Sequence, residues 1–211
     1  MKYCYYQTAA STTTRVEHCI VPCKCSFDEA KDAIEAAVPL LDRTYQRHLD
    51  TGNLAAAGEA LRMLPPLNRF GAQPRDFGPI LRAEAAAATN EGDNKSRSSS
   101  STIGTKEAVQ YEIGNPHKAA QMLRLSGQTA LYAPIRVALL RASVVASTQA
   151  KEGPAVADRV WFEYARPSST MGQTGIREVD DIARGLDEAL HEVLVQAAGL
   201  ESGVWRFESK I

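Results

Sequence analysis

The strongest constraint on the fold is a change in the spacing of apolar residues along the second half of the chain. Apolar and polar residues alternate from Val109 to Ile113, and the same pattern recurs over residues 135–141 and 159–165. This is the period of a β-strand with one face toward water. From residue 178 to residue 198 the apolar residues recur at three- and four-residue spacing instead. We therefore expect one long helix there, with its apolar stripe on the sheet.

A capped turn joins the first of these strands to a helix. Gly114 supplies the permissive backbone of a sharp exit, and Asn115 can accept hydrogen bonds from the first free N–H groups of a helix. Pro116 stands where its missing N–H costs nothing. The pattern predicts a helix that begins at Pro116 and ends near Ser126-Gly127. Taken alone, this turn chemistry needs no functional explanation.

The N-terminal part predicts a strand followed by a helix. Residues 15–21 indicate the strand, and Ser26 and Glu29 form a capping box in which each can satisfy the other's backbone N–H. We expect a helix to begin there, and Pro39 should kink it or divide it in two.

The region between this helix and Val109 has weaker patterning. Residues 54–64 predict a short alanine-rich helix, and residues 68–81 predict a poorly defined edge strand. Residues 89–105 include four consecutive serines. This stretch is too polar to bury itself, so it predicts a mobile surface loop.

Composition limits the class of protein. The chain has 211 residues, of which 44% are hydrophobic and 23% charged, with a formal net charge of −1. This fits a single domain over residues 1–211 with its core in residues 15–198. A near-neutral chain without a Lys/Arg stripe argues against a nucleic-acid partner. No apolar run approaches the ~20 residues that span a bilayer, and the first residues lack the apolar core of a signal peptide. We therefore expect a cytoplasmic protein without a membrane partner.

Three short motifs, taken in order, resemble a known family. They are Val109-Gln-Tyr-Glu-Ile-Gly-Asn-Pro116, Leu131-Tyr-Ala-Pro-Ile-Arg-Val137, and Val160-Trp-Phe-Glu-Tyr164 followed by Arg166-Pro-Ser-Ser169. Together they resemble the domain of unknown function 302 family, particularly its fungal members. This family has no settled activity, so the resemblance implies a fold and no function.

Pattern and resemblance agree on the fold class. Helices interleaved with a mostly antiparallel sheet give an α+β two-layer sandwich. The resemblance implies the TATA-binding-protein-like form, in which a curved sheet packs against helices. The patterning adds an inserted helical region and a disordered serine-rich loop.

Two positions depart from the pattern that fungal family members commonly show. Asp76-Phe77-Gly78 stands where they have Asp-His-Gly, and Tyr164-Ala165-Arg166 stands where they have Tyr-Asp-Arg. Phenylalanine and alanine can neither transfer protons nor bind metal. No role of the missing imidazole and carboxylate is therefore carried over to this chain.

The N-terminal cysteines have two interpretations. His18, Cys19, Cys23 and Cys25 are close in sequence, and thiolates with an imidazole suit zinc or copper. Only Cys23 and Cys25 make a tight pair, and no second Cys/His pair follows. Small apolar packing in the core is therefore favoured. We predict no metal site and no cofactor, with zinc or copper handling as the weaker alternative.

The last helix carries a histidine that also has a structural interpretation. Glu188 and His191 share a helix face, as in dimetal bundles, but no second copy of this motif is recognisable. Helical projection places His191 beside Asp187 on the polar side of the helix. We therefore expect both to be solvated.

The predicted sheet has one polar and one aromatic face. Glu112, Arg136 and Glu163 would lie on the polar face, where surface ion pairing is the simplest interpretation. Tyr111 and Tyr164 would lie on the opposite face with Phe162, where they either pack as core or line a pocket.

Two functions of different classes remain open. The first is a cytoplasmic protein that binds a small, largely apolar molecule between sheet and helices. Its ligand-binding residues would be Tyr111, Asn115, Arg136, Phe162, Arg166 and Ser168. The second is a cofactor-independent cyclase or isomerase, of the kind found in secondary metabolism, that uses the same pocket. Tyr164 would be its proton donor, or Glu163 or Glu112 its base. A homodimer also stays open.

Overall fold

The protein consists of two layers, a six-stranded sheet and helices packed on one of its faces. The computed structural model describes residues 15–90, 104–145 and 156–201. The strands are β1 (His18–Pro22), β2 (Asn68–Arg69), β3 (Arg75–Asp76), β4 (Gly104–Gly114), β5 (Ile135–Val145) and β6 (Val156–Ala165). The helices are α1 (Phe27–Ala37), α2 (Thr44–Asp50), α3 (Leu54–Arg62), α4 (Gly78–Asn90), α5 (Pro116–Leu125), α6 (Pro167–Thr170) and α7 (Arg177–Ala197). Short 3-10 turns span Gly127–Leu131 and Met171–Thr174.

The sheet has the order β1-β6-β5-β4-β2, and β3 also pairs with β4. All of these strand pairs are antiparallel. The register places Tyr111 opposite Val137, Val137 opposite Tyr164, and Tyr164 opposite Cys19. Facing residues of neighbouring strands project to the same side, so this row crosses the sheet on its helix-covered face. The predicted α+β two-layer sandwich is confirmed.

The predicted caps form as the sequence indicates. The backbone N–H of Ser26 donates to Glu29 Oε2 at 2.8 Å, and the backbone N–H of Glu29 donates to Ser26 Oγ at 3.3 Å. Helix α1 ends at Ala37, before Pro39, and the chain resumes as α2 at Thr44. The proline therefore divides the helical segment in two. After β4, Asn115 Oδ1 accepts from the N–H of Lys118 at 3.0 Å and caps α5.

The core lies between the sheet and helices α1, α5 and α7. It is formed by fully buried side chains from all of these elements. The largest of them are Tyr111, Phe162, Ile34, Ile113, Met122, Leu139, Leu190 and Leu194. The predicted strands over residues 109–113, 135–141 and 159–165 are confirmed, and each of them extends further than predicted. Helix α7 covers the predicted stretch to within one residue at each end.

The region from residue 68 to residue 81 contains the predicted edge strand only in short pieces. It contains only the two-residue strands β2 and β3, and α4 begins at Gly78. Asp76 Oδ1 accepts the N–H of Gly78, the first residue of α4, at 2.7 Å, so the chain turns from the sheet edge directly into a helix.

The ends of the predicted loop over residues 89–105 also differ. Helix α4 continues through Asn90 and β4 begins at Gly104, while residues 91–103 lie outside the described residues. Among the described helices, none is long and apolar enough to cross a membrane.

Candidate functional site

An apolar cavity of about 290 Å³ lies at the end of the sheet where β4 ends and β5 begins. Helix α5 follows β4 here, and residues of α7 and of the second 3-10 turn complete the wall. The lining residues are Phe70, Gly114, Asn115, Pro116, Ala119, Ala120, Met122, Leu123, Ala133, Pro134, Ile135, Met171 and Leu186. The cavity therefore lies at the boundary between sheet and helices.

The Gly-Asn-Pro turn builds one wall of this cavity. A Cβ atom on Gly114 would lie 3.3 Å from Cε2 of Phe70, so the glycine lets the aromatic ring approach the end of the strand. The Phe70 backbone N–H donates to Glu112 O at 2.9 Å. This bond holds the backbone of Phe70 beside β4, next to the end of the strand. Asn115 Nδ2 donates to Pro65 O at 2.8 Å, which ties the turn to the segment before β2.

The chemistry of this lining is that of an apolar binding site. Among the described residues that line it, Asn115 alone has a polar side chain, and none is ionisable. Both ends of the Asn115 amide are already hydrogen-bonded within the protein. The cavity can therefore hold an apolar group, and its side chains offer no acid or base for proton transfer.

A second, polar cavity of about 460 Å³ lies between the two 3-10 turns. Its lining consists mainly of uncharged side chains with hydroxyl or amide groups. The lining residues are Gln128, Thr129, Leu131, Tyr132, Thr170, Met171, Gln173 and Thr174. Met171 is a lining residue of both cavities, so both lie against this residue.

The predicted ligand residues Arg166 and Ser168 belong to a different place, a buried polar cluster beside α7. Asp187 is only 3% exposed. It accepts from Arg166 Nε at 3.1 Å and from the backbone N–H of Ser168 at 3.0 Å. Arg166 also donates to Glu17 at 2.9 Å. These contacts fix β1, α6 and α7 to one another, and neither Arg166 nor Ser168 lines the cavities described above.

Helical projection of the sequence placed both Asp187 and His191 wrongly. Both were expected on the solvated side of the last helix, and that prediction is wrong. Helix α6 and the Arg166 side chain cover Asp187, and His191 is half-buried. The Arg-Pro-Ser-Ser motif was the available signal, because its free N–H groups and guanidinium require an acceptor.

Tyr164 forms a small cluster with His191 and Cys19 under the same part of α7. Its hydroxyl lies 3.5 Å from His191 Nδ1. Burial raises the pKa of Tyr164, and burial also raises the pKa of Cys19. Burial, followed by the Arg166 charge, lowers the pKa of His191. Burial therefore favours the neutral form of each of the three groups, and none of them lines the two cavities.

Tyr111 and Phe162 lie on the helix-covered face of the sheet, in two different rows of facing residues. Tyr111 is 2% exposed, and its hydroxyl donates to Glu35 Oε1 at 3.2 Å. Phe162 is fully buried. Both residues pack in the core, and neither lines one of the two cavities. Their role as ligand contacts stays a prediction.

The predicted polar residues of the sheet lie on its other face. Glu112 pairs with Arg75 at 2.7 Å, and Glu163 lies 3.6 Å from His18. Arg136 is exposed. The sheet therefore separates both carboxylates from Tyr164, the predicted proton donor.

The three described cysteines are half-buried at the margin of the core. Cys25 donates its thiol to Ala197 O at 3.6 Å. Burial, with Cys25 beside it, raises the pKa of Cys23 to about 12. Among the described residues, no three His, Cys, Asp or Glu side chains are grouped so that they could hold a metal ion.

The fold and these cavities define a two-layer α+β protein with an apolar site at one end of its sheet. No family model matches the chain, and no curated protein matches it. A crystal structure of an uncharacterized conserved protein DUF302 from Bacillus stearothermophilus is similar, with a TM-score of 0.47 and 13% identity over 85% of this chain and 97% of that chain. The motifs of residues 109–169 resemble the family named in that description, and membership of the family, with its fungal subtype, stays a prediction.

Proposed function

We propose that this protein binds a small, largely apolar molecule in the cavity at the end of β4 and β5. The observation that supports this is the lining, which is apolar except for an asparagine that is already hydrogen-bonded. Its volume of about 290 Å³ lies just below the range of ligand sites, about 300–1,000 Å³. A molecule with one or two rings is therefore the expected size.

The size of the cavity also limits the affinity. An apolar body that buries about 200 Å² contributes roughly 5 kcal/mol. Immobilising the molecule offsets part of this gain. Dissociation constants from high micromolar to millimolar are therefore expected for a bare apolar probe.

Binding is better supported than the cyclase or isomerase alternative. Catalysis of that kind needs a proton donor or base within hydrogen-bond reach of the substrate. The described lining of the apolar cavity supplies neither, and Glu112 and Glu163 lie on the opposite face of the sheet.

The experiment is a titration of the protein with naphthalene, followed by the NMR shifts of methyl groups. We expect saturable shifts at Ala119 and Ile135, which line the cavity. Ala119→Phe and Ala120→Phe should each abolish them, because the added ring fills the space. Ala36→Phe is the matched control, since Ala36 is an exposed alanine of α1. Folding of each variant is checked by circular dichroism. If both cavity variants bind naphthalene as the wild type does, the proposed site is wrong.

A further inference from the structure

We infer that the ligand of the apolar cavity carries an uncharged hydrogen-bonding group, a hydroxyl, carbonyl or amide, that occupies the adjoining polar cavity. This inference rests on the proposed function and specifies the chemical class of its ligand. It assigns a binding role to the cavity between the two 3-10 turns.

The two cavities adjoin at two points of the chain. Met171 is 2% exposed and lines both of them. Ala133 lines the apolar cavity, and its neighbour Tyr132 lines the polar one. Methionine has a flexible thioether side chain, which adjusts its shape readily to what it contacts. A molecule that contacts Met171 or Ala133 in the apolar cavity therefore lies next to residues that line the polar one.

The polar cavity offers both kinds of hydrogen-bonding partner. Thr174 Oγ1 accepts from the N–H of Ile176 at 3.3 Å, which leaves its hydroxyl hydrogen for a ligand acceptor. Thr170 Oγ1 donates to Pro167 O at 3.0 Å, which leaves its lone pairs for a ligand donor. Tyr132 adds a phenol that can do either. A hydroxyl or amide group could be satisfied on both sides.

The same lining disfavours an ionised group. Among the described residues of the polar cavity, none carries a charge. A carboxylate or ammonium that left water here would lose hydration without gaining a counter-ion. Arg166 is close to this cavity, because its backbone carbonyl accepts from Thr170. Its guanidinium, however, is paired with Asp187 and Glu17. The expected ligand is therefore a neutral molecule with an apolar body and one polar end.

Three probes with the same ring system test this inference. They are naphthalene, 2-naphthol and 2-naphthoate, titrated at pH 7.5 against the wild type by calorimetry and methyl NMR. We expect 2-naphthol to bind at least fivefold more tightly than naphthalene, and 2-naphthoate to bind no more tightly than naphthalene. Tyr132→Phe and Thr174→Val should reduce the preference for 2-naphthol without changing the affinity for naphthalene. Tyr45→Phe is the matched control, on α2 and outside both cavities.

The outcomes separate this inference from the proposed function. Equal affinity for naphthalene and 2-naphthol, unchanged in both variants, would overturn the inference and leave the apolar site intact. Tightest binding of 2-naphthoate would also overturn it, because the site would then prefer an anion. If none of the three probes binds, the proposed function and the inference both fall.

Discussion

Replacing Asp187 should cost more stability than any exposed acidic substitution on the same helix. The carboxylate is 3% exposed and accepts from Arg166 Nε and from the Ser168 backbone N–H. Breaking a buried pair by removing one partner costs about 3–5 kcal/mol. The Arg166 side chain remains 24% exposed and keeps its contact with Glu17. We therefore expect Asp187→Ala to lower the free energy of unfolding by about 2–3 kcal/mol, which is less than the loss for a pair in which both partners are fully buried.

The assay is urea denaturation followed by tryptophan fluorescence. With a slope of about 2 kcal/mol per molar urea, the midpoint should fall by about 1–1.5 M. Asp187→Asn keeps an acceptor for Ser168, so it should lose about 1–2 kcal/mol. Asp181→Ala is the control, because the Asp181 side chain is 59% exposed and its pair with Arg177 spans 3.8 Å. That control should change stability by about 0.5 kcal/mol or less. If Asp187→Ala shifts the midpoint no more than Asp181→Ala, the cluster does not hold the fold together.

Three further predictions concern the cavity wall and the cysteines. Gly114→Ala places a methyl group against Phe70. It should lower the free energy of unfolding, measured by thermal denaturation, by about 1 kcal/mol, and it should weaken naphthalene binding. Gly127→Ala is the control and should do neither, because no atom lies within 4 Å of the added methyl group. Cys23 should resist iodoacetamide at pH 8 in the folded state, because its pKa is about 12, and equal labelling in folded and urea-unfolded protein would contradict this. The folded thiol keeps a proton that the unfolded chain loses near its pKa of 9.0, so the stability from this group is lost as the pH rises from 9 toward 12. Elemental analysis should find well under one zinc or copper per chain, and one equivalent that disappears when Cys23 and Cys25 become serine would contradict the packing interpretation.

Local chemistry made part of this fold predictable. The Ser26–Glu29 capping box and the Asn115 cap each depend on residues three positions apart, so the sequence alone contains the whole interaction. Strand and helix periods depend only on which side of an element is apolar. The stripe of α7 could therefore be read without knowing what it contacts.

The candidate site depends on distant contacts and was not predictable in the same way. Phe70 and Gly114 meet only because β2 pairs with the end of β4. The solvated location predicted for Asp187 is wrong because projection identifies a helix face and cannot show that Arg166 covers it. Asn115 was predicted to contact a ligand, and the structure places it in the wall of the apolar cavity.

The contacts of β1 also bear on when this chain can fold during its synthesis. Glu17 is hydrogen-bonded to Arg166 and Ser169, and the backbone N–H of Lys24 donates to Ala198 O at 2.8 Å. The residues on either side of the first strand thus find these partners about 150 to 170 residues later in the chain, and the strand itself pairs with β6. Contacts so distant in sequence slow folding, because a long loop must close before they form. On the ribosome, the first strand and α1 must therefore wait for β6 and α7 to emerge, and during that time their apolar surfaces are open to chaperones.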